Sequence, residues 1–334
     1  MSTNQTTYYP DLNLNLKELL QEVIHKLDNI INDRLLDTEC QLLIEISKYI
    51  FDSGGKRLRP LLLLLTAKLF SYQGENHIKL AAALEMIHTA TLLHDDIIDN
   101  SAMRRNKTSA HLKWGTRNSI IAGDWLSTIA FGLAADTKNT QVIKSIPKMA
   151  KYMVQGELEQ LRYKNTSDLS EEKYYKIIEA KTGLLFSIAT ELAACISNNT
   201  SEAIDQARLF GLHLGLAFQI QDDLLDYLGS SNIIGKNIGD DLLEGKLTLP
   251  MIYFKSRAPS KFKTVITKLR SHKFSGLDFQ ELKNNLHETA AIAESINQVI
   301  KQQNIALDYL AKLPNNKYSN YLVNLTSNIV IRDN

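Results

Sequence analysis

Apolar residues recur at three- and four-residue spacing along most of this chain. Leu16, Leu19, Leu20, Val23, Ile24, Leu27, Ile30, Ile31 and Leu35 form one stripe of a helix over Leu16 to Leu36. The same period covers Ile78 to Ile98, Ile177 to Ile196, Ala203 to Leu228 and Ile292 to Leu313, while strand-like alternation is scarce. The pattern predicts an all-α fold. Breaks fall at Ser53-Gly54-Gly55, Asn165 to Ser170, Gly229 to Gly239 and Ala258 to Leu277. Ser170 before Glu171 and Glu172 reads as a capped helix start with an acidic first turn. Pro250 suits a first helical turn or a kink. No break is long or polar enough for an interdomain linker, so residues 1–334 read as one domain, with 1–14 poorly ordered.

Composition narrows the function classes. The chain has 334 residues, 44% of them hydrophobic and 22% charged, enough for a sizeable core. A net charge of +1 provides no global field for nucleic acid, so any polyanion must be held by local clusters. Cys40 and Cys195 lack metal-site spacing, which predicts a reducing compartment without a disulfide framework. No apolar run reaches membrane-spanning length; Leu61 to Thr66 is far too short. The N-terminus, MSTNQTTYYPDLNLNLKELL, has neither a signal-peptide nor a presequence pattern. Frequent Asn, Ile and Lys point to an AT-rich genome, hence to the bacterial cytoplasm or the plastid stroma.

Two acidic triplets interrupt this apolar pattern. His94-Asp95-Asp96-Ile97-Ile98-Asp99 and Gln221-Asp222-Asp223-Leu224-Leu225-Asp226 share the form D-D-apolar-apolar-D. Asp95 and Asp99 lie four apart on one helix face, with Asp96 about 100° round the axis. Like charges at that spacing destabilise a helix unless cations sit between them. Hard carboxylate oxygens suit Mg²⁺, which shares its sites with substrate phosphate. The bland alternative is a solvated acidic face, but such a face should have polar neighbours at positions 97, 98, 224 and 225, and these are Ile, Ile, Leu and Leu.

Cations accompany the triplets. Gly54-Gly55-Lys56-Arg57-Leu58-Arg59-Pro60 places three cations in four residues behind two glycines that permit close backbone approach. It lacks the spacing of a Walker loop, and alone it could equally be a solvated turn. His88 shares the face of Asp95 two turns away, where a lone histidine is more often a satisfied core residue than a ligand. Arg104 and Arg105 follow the first triplet, Lys181-Thr182 begins an apolar helix, and Lys236, Asp240, Asp241 and Lys246 follow the second triplet. Acidic triplets beside basic clusters fit the binding of diphosphates through metal ions and direct cationic contacts.

In order along the chain, GGKRLRP, IHTATLLHDDIIDNSAMRR, GDWL, EAKTG, FQIQDDLLDY and GKNIGDDLLEGKLTLP resemble the motifs of the trans-isoprenyl diphosphate synthases, or polyprenyl synthetases. The resemblance spans roughly Asp52 to Pro250. It implies antiparallel helices around a deep central cavity, and head-to-tail condensation of isopentenyl diphosphate onto an allylic diphosphate. It implies that Asp95, Asp96 and Asp99 form a first metal motif, with Asp95 and Asp99 the direct Mg²⁺ ligands, and that Asp222, Asp223 and Asp226 form a second. Three Mg²⁺ ions per site are implied when diphosphate is bound, two of them through the first motif. Lys56, Arg59, His88 and Arg105 match positions holding isopentenyl diphosphate. Arg104, Lys181, Thr182, Gln219 and Lys236 match those contacting the allylic diphosphate. The family also implies a homodimer, and release of a long product would involve loose membrane association.

In this family aromatic residues on the turns before the first triplet close the cavity floor. Here Ile87, Ala90 and Thr91 are small or aliphatic. The expectation is a long product, around nonaprenyl, for a quinone side chain; a deeper residue on another helix would give a geranylgeranyl or farnesyl product instead. A terpene cyclase would lack GGKRLRP, and a non-catalytic partner subunit would not need both intact triplets. A helical scaffold without Mg²⁺-dependent diphosphate binding is the alternative from a different class.

Overall fold

The computed structural model describes residues 14–228, 239–271 and 273–330, so the poor order expected for 1–14 falls almost wholly outside the described residues. In chain order the helices are α1 (Leu14–Leu35), α2 (Gln41–Phe51), α3 (Leu58–Leu69), α4 (Asn76–Ile98), α5 (Ala110–Trp114), α6 (Thr116–Ala135), α7 (Thr140–Tyr163) and α8 (Glu171–Ile178). A π-helical segment, Glu179–Gly183, leads into α9 (Leu184–Ile196) and α10 (Ser201–Leu228). Then follow α11 (Asp240–Leu243), α12 (Leu249–Arg257), α13 (Pro259–Arg270), α14 (Gly276–Glu288), α15 (Ala291–Leu310) and α16 (Lys317–Val330). The described strands are β1 (Met103–Arg104) and β2 (Lys107–Thr108), paired antiparallel. The all-α expectation holds. Among the described residues no helix is long and apolar enough to cross a membrane.

Local chemistry sets the helix ends. The Ser170 hydroxyl accepts from the Lys173 N–H at 3.3 Å and caps α8, and Pro250 occupies the first turn of α12, as the sequence predicts. The break expected over Ala258 to Leu277 is corrected: α13 lies inside it. Its lysine-rich face hid the narrow stripe on which Phe262 and Val265 are buried. The single helix expected over Ile177 to Ile196 is interrupted by the π segment.

The chain divides into two compact units, Met1–Ile146 with Leu192–Asn198, and Pro147–Glu191 with Asn199–Asn334. In the first, α4 is the central helix and packs on α1, α3, α5 and α6. Its residues from Leu80 to Ile87 are all buried, so this stretch is enclosed on every side rather than amphipathic. In the second, α10 is central and packs on α12, α15, α16 and the π segment. Leu216, Ile220, Leu224 and Tyr227 of α10 join one core with Met251 and Phe254 of α12. Each acidic triplet therefore closes the central helix of one unit.

Candidate active site

α4 stops abruptly after the first triplet. Asn100 takes the left-handed conformation (φ 52°), its N–H donates to the Ile97 carbonyl at 3.2 Å, and the Ser101 N–H donates to the Asp96 carbonyl at 2.9 Å. This pair of bonds is a Schellman stop. It leaves Asp95, Asp96 and Asp99 at the negative end of the helix dipole, in a last turn without a basic residue. Asp96 is buried, and its Oδ1 accepts from Arg104 Nε at 2.8 Å and also from Nη2. Asp96 Oδ2 is buried without a hydrogen-bond partner. Asp95 and Asp99 are half-buried.

Arg104 and Arg105 owe their placement to the hairpin. Arg105 and Asn106 both have positive φ (51° and 62°), which makes their two-residue loop a type I′ turn between β1 and β2. The Tyr49 hydroxyl donates to the Thr108 carbonyl at 2.8 Å and Lys107 Nζ to the Asp52 carbonyl at 3.0 Å, which ties the hairpin to the end of α2. The Arg105 guanidinium lies on the backbone of Gly55, where a Cβ would come within 2.7 Å of Nη1. Arg57, at φ 45°, turns away into an ion pair with Asp28 of α1.

Arg59, Arg104 and Arg105 all act on His88. Burial first, and then these three cations, hold its pKa well below the ordinary histidine value, so the imidazole is neutral. Sequence reasoning missed Glu85, a buried carboxyl three residues before His88. Burial raises its pKa, while the charges of Arg57, Arg59 and Arg105 pull the other way. The available signal was one glutamate inside the apolar run LAAALEMIH. Lys56, by contrast, is exposed.

The second triplet is divided in the same way. Asp222 is exposed, whereas Asp223 and Asp226 are buried. Asp226 Oδ1 accepts from the Gly239 N–H at 3.2 Å and Oδ2 from the Asp241 N–H at 3.3 Å, so this carboxylate holds the start of α11. Asp223 Oδ2 accepts from the Tyr174 hydroxyl at 2.7 Å, and Oδ1 from Gln219 Nε2 at 2.7 Å. Burial and the charge of Asp241 raise the Asp223 pKa well above the usual carboxylate range, and the two donors oppose that rise.

EAKTG coincides with the π-helical segment. A π turn displaces side chains from helical register and is common at functional sites. Here Lys181 Nζ lies 3.0 Å from Glu157 Oε2 and donates to Gln160 Oε1 at 2.9 Å, both on α7. Thr182 Oγ1 donates to Gln219 Oε1 at 2.6 Å. Close approach to α7 depends on Gly156, where a Cβ would sit 2.3 Å from that of Ala180. Lys236 lies outside the described residues.

Ile87 and Ala90 are buried in α4, while Thr91 is half-buried and spends its hydroxyl on the His88 carbonyl at 2.8 Å. The glycine of GDWL, Gly123, lies under His94, whose Nε2 a Cβ would approach to 2.4 Å. The apolar neighbours of the triplets differ: Leu224 is fully enclosed, whereas Ile98 is 38% exposed.

Among the described residues no three His, Cys, Asp or Glu side chains converge on one point as a ready metal cage. The donor chemistry nonetheless suits Mg²⁺, which binds through one or two carboxylates and completes its shell with water and substrate phosphate. Asp95 and Asp99 offer hard oxygens at a helix end that favours cations, and the unpartnered Asp96 Oδ2 adds a buried acceptor.

Comparison with known proteins agrees with this chemistry. The polyprenyl synthetase family model matches residues 40–321. The chain is 36% identical to an all-trans-nonaprenyl-diphosphate synthase (geranyl-diphosphate specific) of Rhodobacter capsulatus, over 90% of this chain and 92% of that one. It is 32% identical to an octaprenyl diphosphate synthase of Haemophilus influenzae, over 87% and 88%. A crystal structure of a polyprenyl synthase from Caulobacter crescentus, complexed with calcium and isoprenyl diphosphate, superposes with a TM-score of 0.89 at 33% identity, covering 94% of this chain and 96% of that one. Motifs, fold and relatives agree: the chain belongs to the polyprenyl synthetase family.

Proposed function

We propose that this protein condenses isopentenyl diphosphate head-to-tail onto an allylic diphosphate to build a long all-trans polyprenyl diphosphate. The observation that carries the reading is the ending of both central helices, α4 and α10, in carboxylate triplets with no basic residue in the last turn. Asp95, Asp99 and Asp222 are the proposed Mg²⁺ ligands. Mg²⁺ held by these carboxylates would neutralise charge developing on the departing diphosphate. Arg104, Lys181, Thr182, Gln219 and Lys236 are assigned to the allylic diphosphate, and Lys56, Arg59, His88 and Arg105 to isopentenyl diphosphate. The allylic C–O bond breaks, the double bond of isopentenyl diphosphate attacks the resulting cation, and a proton leaves. His88 is a poor base because burial and three arginines depress its pKa, so the proton is assigned to the departing diphosphate.

Ile87, Ala90 and Thr91 place no aromatic ring on the turns before Asp95, which supports a long product of about nonaprenyl size for a quinone side chain. Residues 1–334 are proposed as a single catalytic domain, since one family model runs through both units. A homodimer is the proposed assembly: Ile120, Ile121 and Phe131 on α6 are exposed, as are Val154, Leu158 and Leu161 on α7. The proposed location is the bacterial cytoplasm or the plastid stroma, with loose membrane association for product release. The test is incubation with Mg²⁺, labelled isopentenyl diphosphate and geranyl, farnesyl or geranylgeranyl diphosphate, followed by chromatography of the dephosphorylated products. Products stopping at farnesyl or geranylgeranyl length would replace the long-chain reading; no product with any primer would refute the activity.

A further inference from the structure

Four side chains of the second unit are joined by hydrogen bonds that converge on Asp223. Thr182 Oγ1 donates to Gln219 Oε1 at 2.6 Å, Gln219 Nε2 donates to Asp223 Oδ1 at 2.7 Å, and the Tyr174 hydroxyl donates to Asp223 Oδ2 at 2.7 Å. Tyr174 and Asp223 are buried, and Gln219 is half-buried. These bonds fix the orientation of the carboxamide. Its oxygen faces a hydroxyl donor and its nitrogen faces a carboxylate, and reversing the amide would turn its N–H₂ toward the Thr182 hydroxyl and its oxygen toward the Asp223 carboxylate. One Nε2 hydrogen is spent on Asp223, which leaves the second for a ligand. Both Asp223 oxygens are engaged by protein donors.

We propose that Tyr174 is a positioning residue: through Asp223 it locks the Gln219 carboxamide so that one N–H is held for the allylic diphosphate. Asp223 then belongs to this lock and not to the metal ligands. The inference rests on the prenyltransferase reading above. It assigns a role to α8, the helix that carries Tyr174, which the sequence motifs leave outside the site.

The test uses the full-length chain and calorimetric binding of farnesyl S-thiolodiphosphate, an unreactive allylic analogue, with Mg²⁺. Tyr174→Phe is expected to weaken binding about tenfold, and Gln219→Ala by a similar factor. The double variant should be no weaker than Gln219→Ala alone, because Tyr174 acts through Gln219. In steady state the KM for the allylic substrate should rise while that for isopentenyl diphosphate stays the same. Wild-type affinity in Tyr174→Phe, or multiplied losses in the double variant, would overturn the proposal. Should Tyr174→Phe fail to fold, Asp223→Asn is read against Asp222→Asn. The lock requires weakened analogue binding in Asp223→Asn with wild-type Mg²⁺ half-saturation. A Mg²⁺ requirement raised as in Asp222→Asn would make Asp223 a ligand and overturn the proposal. A wild-type chain that neither turns over nor binds the analogue removes the functional reading itself. Normal turnover with an unaffected Tyr174→Phe removes only the lock.

Discussion

Gly55→Ala tests how the backbone aims Arg105. A Cβ at Gly55 would stand 2.7 Å from Nη1, 2.8 Å from Nη2 and 2.9 Å from Cζ of Arg105. Ordinary contact begins at 3.4 Å, so the guanidinium has to retreat by about 0.7 Å. The head of a long side chain can do this cheaply, and the folding cost comes mainly from the backbone. A φ of 153° is rare for L-residues, which puts that cost at about 1–3 kcal/mol. With Arg105 assigned to isopentenyl diphosphate as proposed, the functional cost falls on that substrate. Losing one charge-assisted hydrogen bond costs roughly 1.5–3 kcal/mol, or about 10- to 150-fold in affinity, and a shifted but still charged Arg105 belongs near the lower bound. Initial rates at saturating allylic substrate should therefore show the KM for isopentenyl diphosphate rising about tenfold, with the allylic KM unchanged. Arg105→Ala should raise it further, and adding Gly55→Ala to that variant should have no additional effect on KM. A folded Gly55→Ala enzyme with a wild-type KM for isopentenyl diphosphate would refute the link between this glycine and this cation.

Asp95→Ala and Asp222→Ala should each abolish turnover while circular dichroism shows helical content intact; normal activity in either would sink the two-triplet mechanism. Ala90→Phe should shorten the product at a folding cost of about 1–3 kcal/mol for overpacking a buried site, and an unchanged chain length would place the cavity floor elsewhere. His77 is buried, its Nδ1 lacks a partner, and burial together with Lys68 lowers its pKa from 6.5 to about 4. The unfolded chain therefore binds this proton more readily. The stability linked to His77 is intact above pH 6.5 and falls as pH drops toward 4, by about 2 kcal/mol at pH 5. Urea unfolding at pH 7 and pH 5 should show this loss, and His77→Leu should reduce it; an equal loss in the variant would assign it to other groups.

Periodicity made the helices legible because their apolar faces decide packing. It failed where side chains override local pattern. At the π turn of Glu179–Gly183, Gly156 meets Ala180 and Lys181 reaches α7, contacts made across the sequence. The hairpin at Met103–Thr108 rests on two non-glycine residues at positive φ, Arg105 and Asn106, in place of the usual glycine-bearing turn signal. Spacing identified both aspartate triplets, but it could not divide them. Whether a carboxylate points to solvent or to a protein donor depends on Arg104 for Asp96, Tyr174 for Asp223, and the amides of Gly239 and Asp241 for Asp226.

That division gives each triplet two kinds of carboxylate. Asp95 and Asp99 of the first are half-buried and Asp222 of the second is exposed, at electronegative helix ends where a divalent ion would relieve repulsion. Another member of each is buried and bonded to a group assigned to the allylic diphosphate: Asp96 to Arg104, and Asp223 to Gln219. Substitution of the first kind should change the metal requirement. On the proposed assignments, substitution of the second kind should change the allylic KM, because it frees a donor from its orientation. Adjacent aspartates lie about 100° apart round a helix, so the proposed reading has the second of each pair orient a protein donor while its neighbour takes the metal.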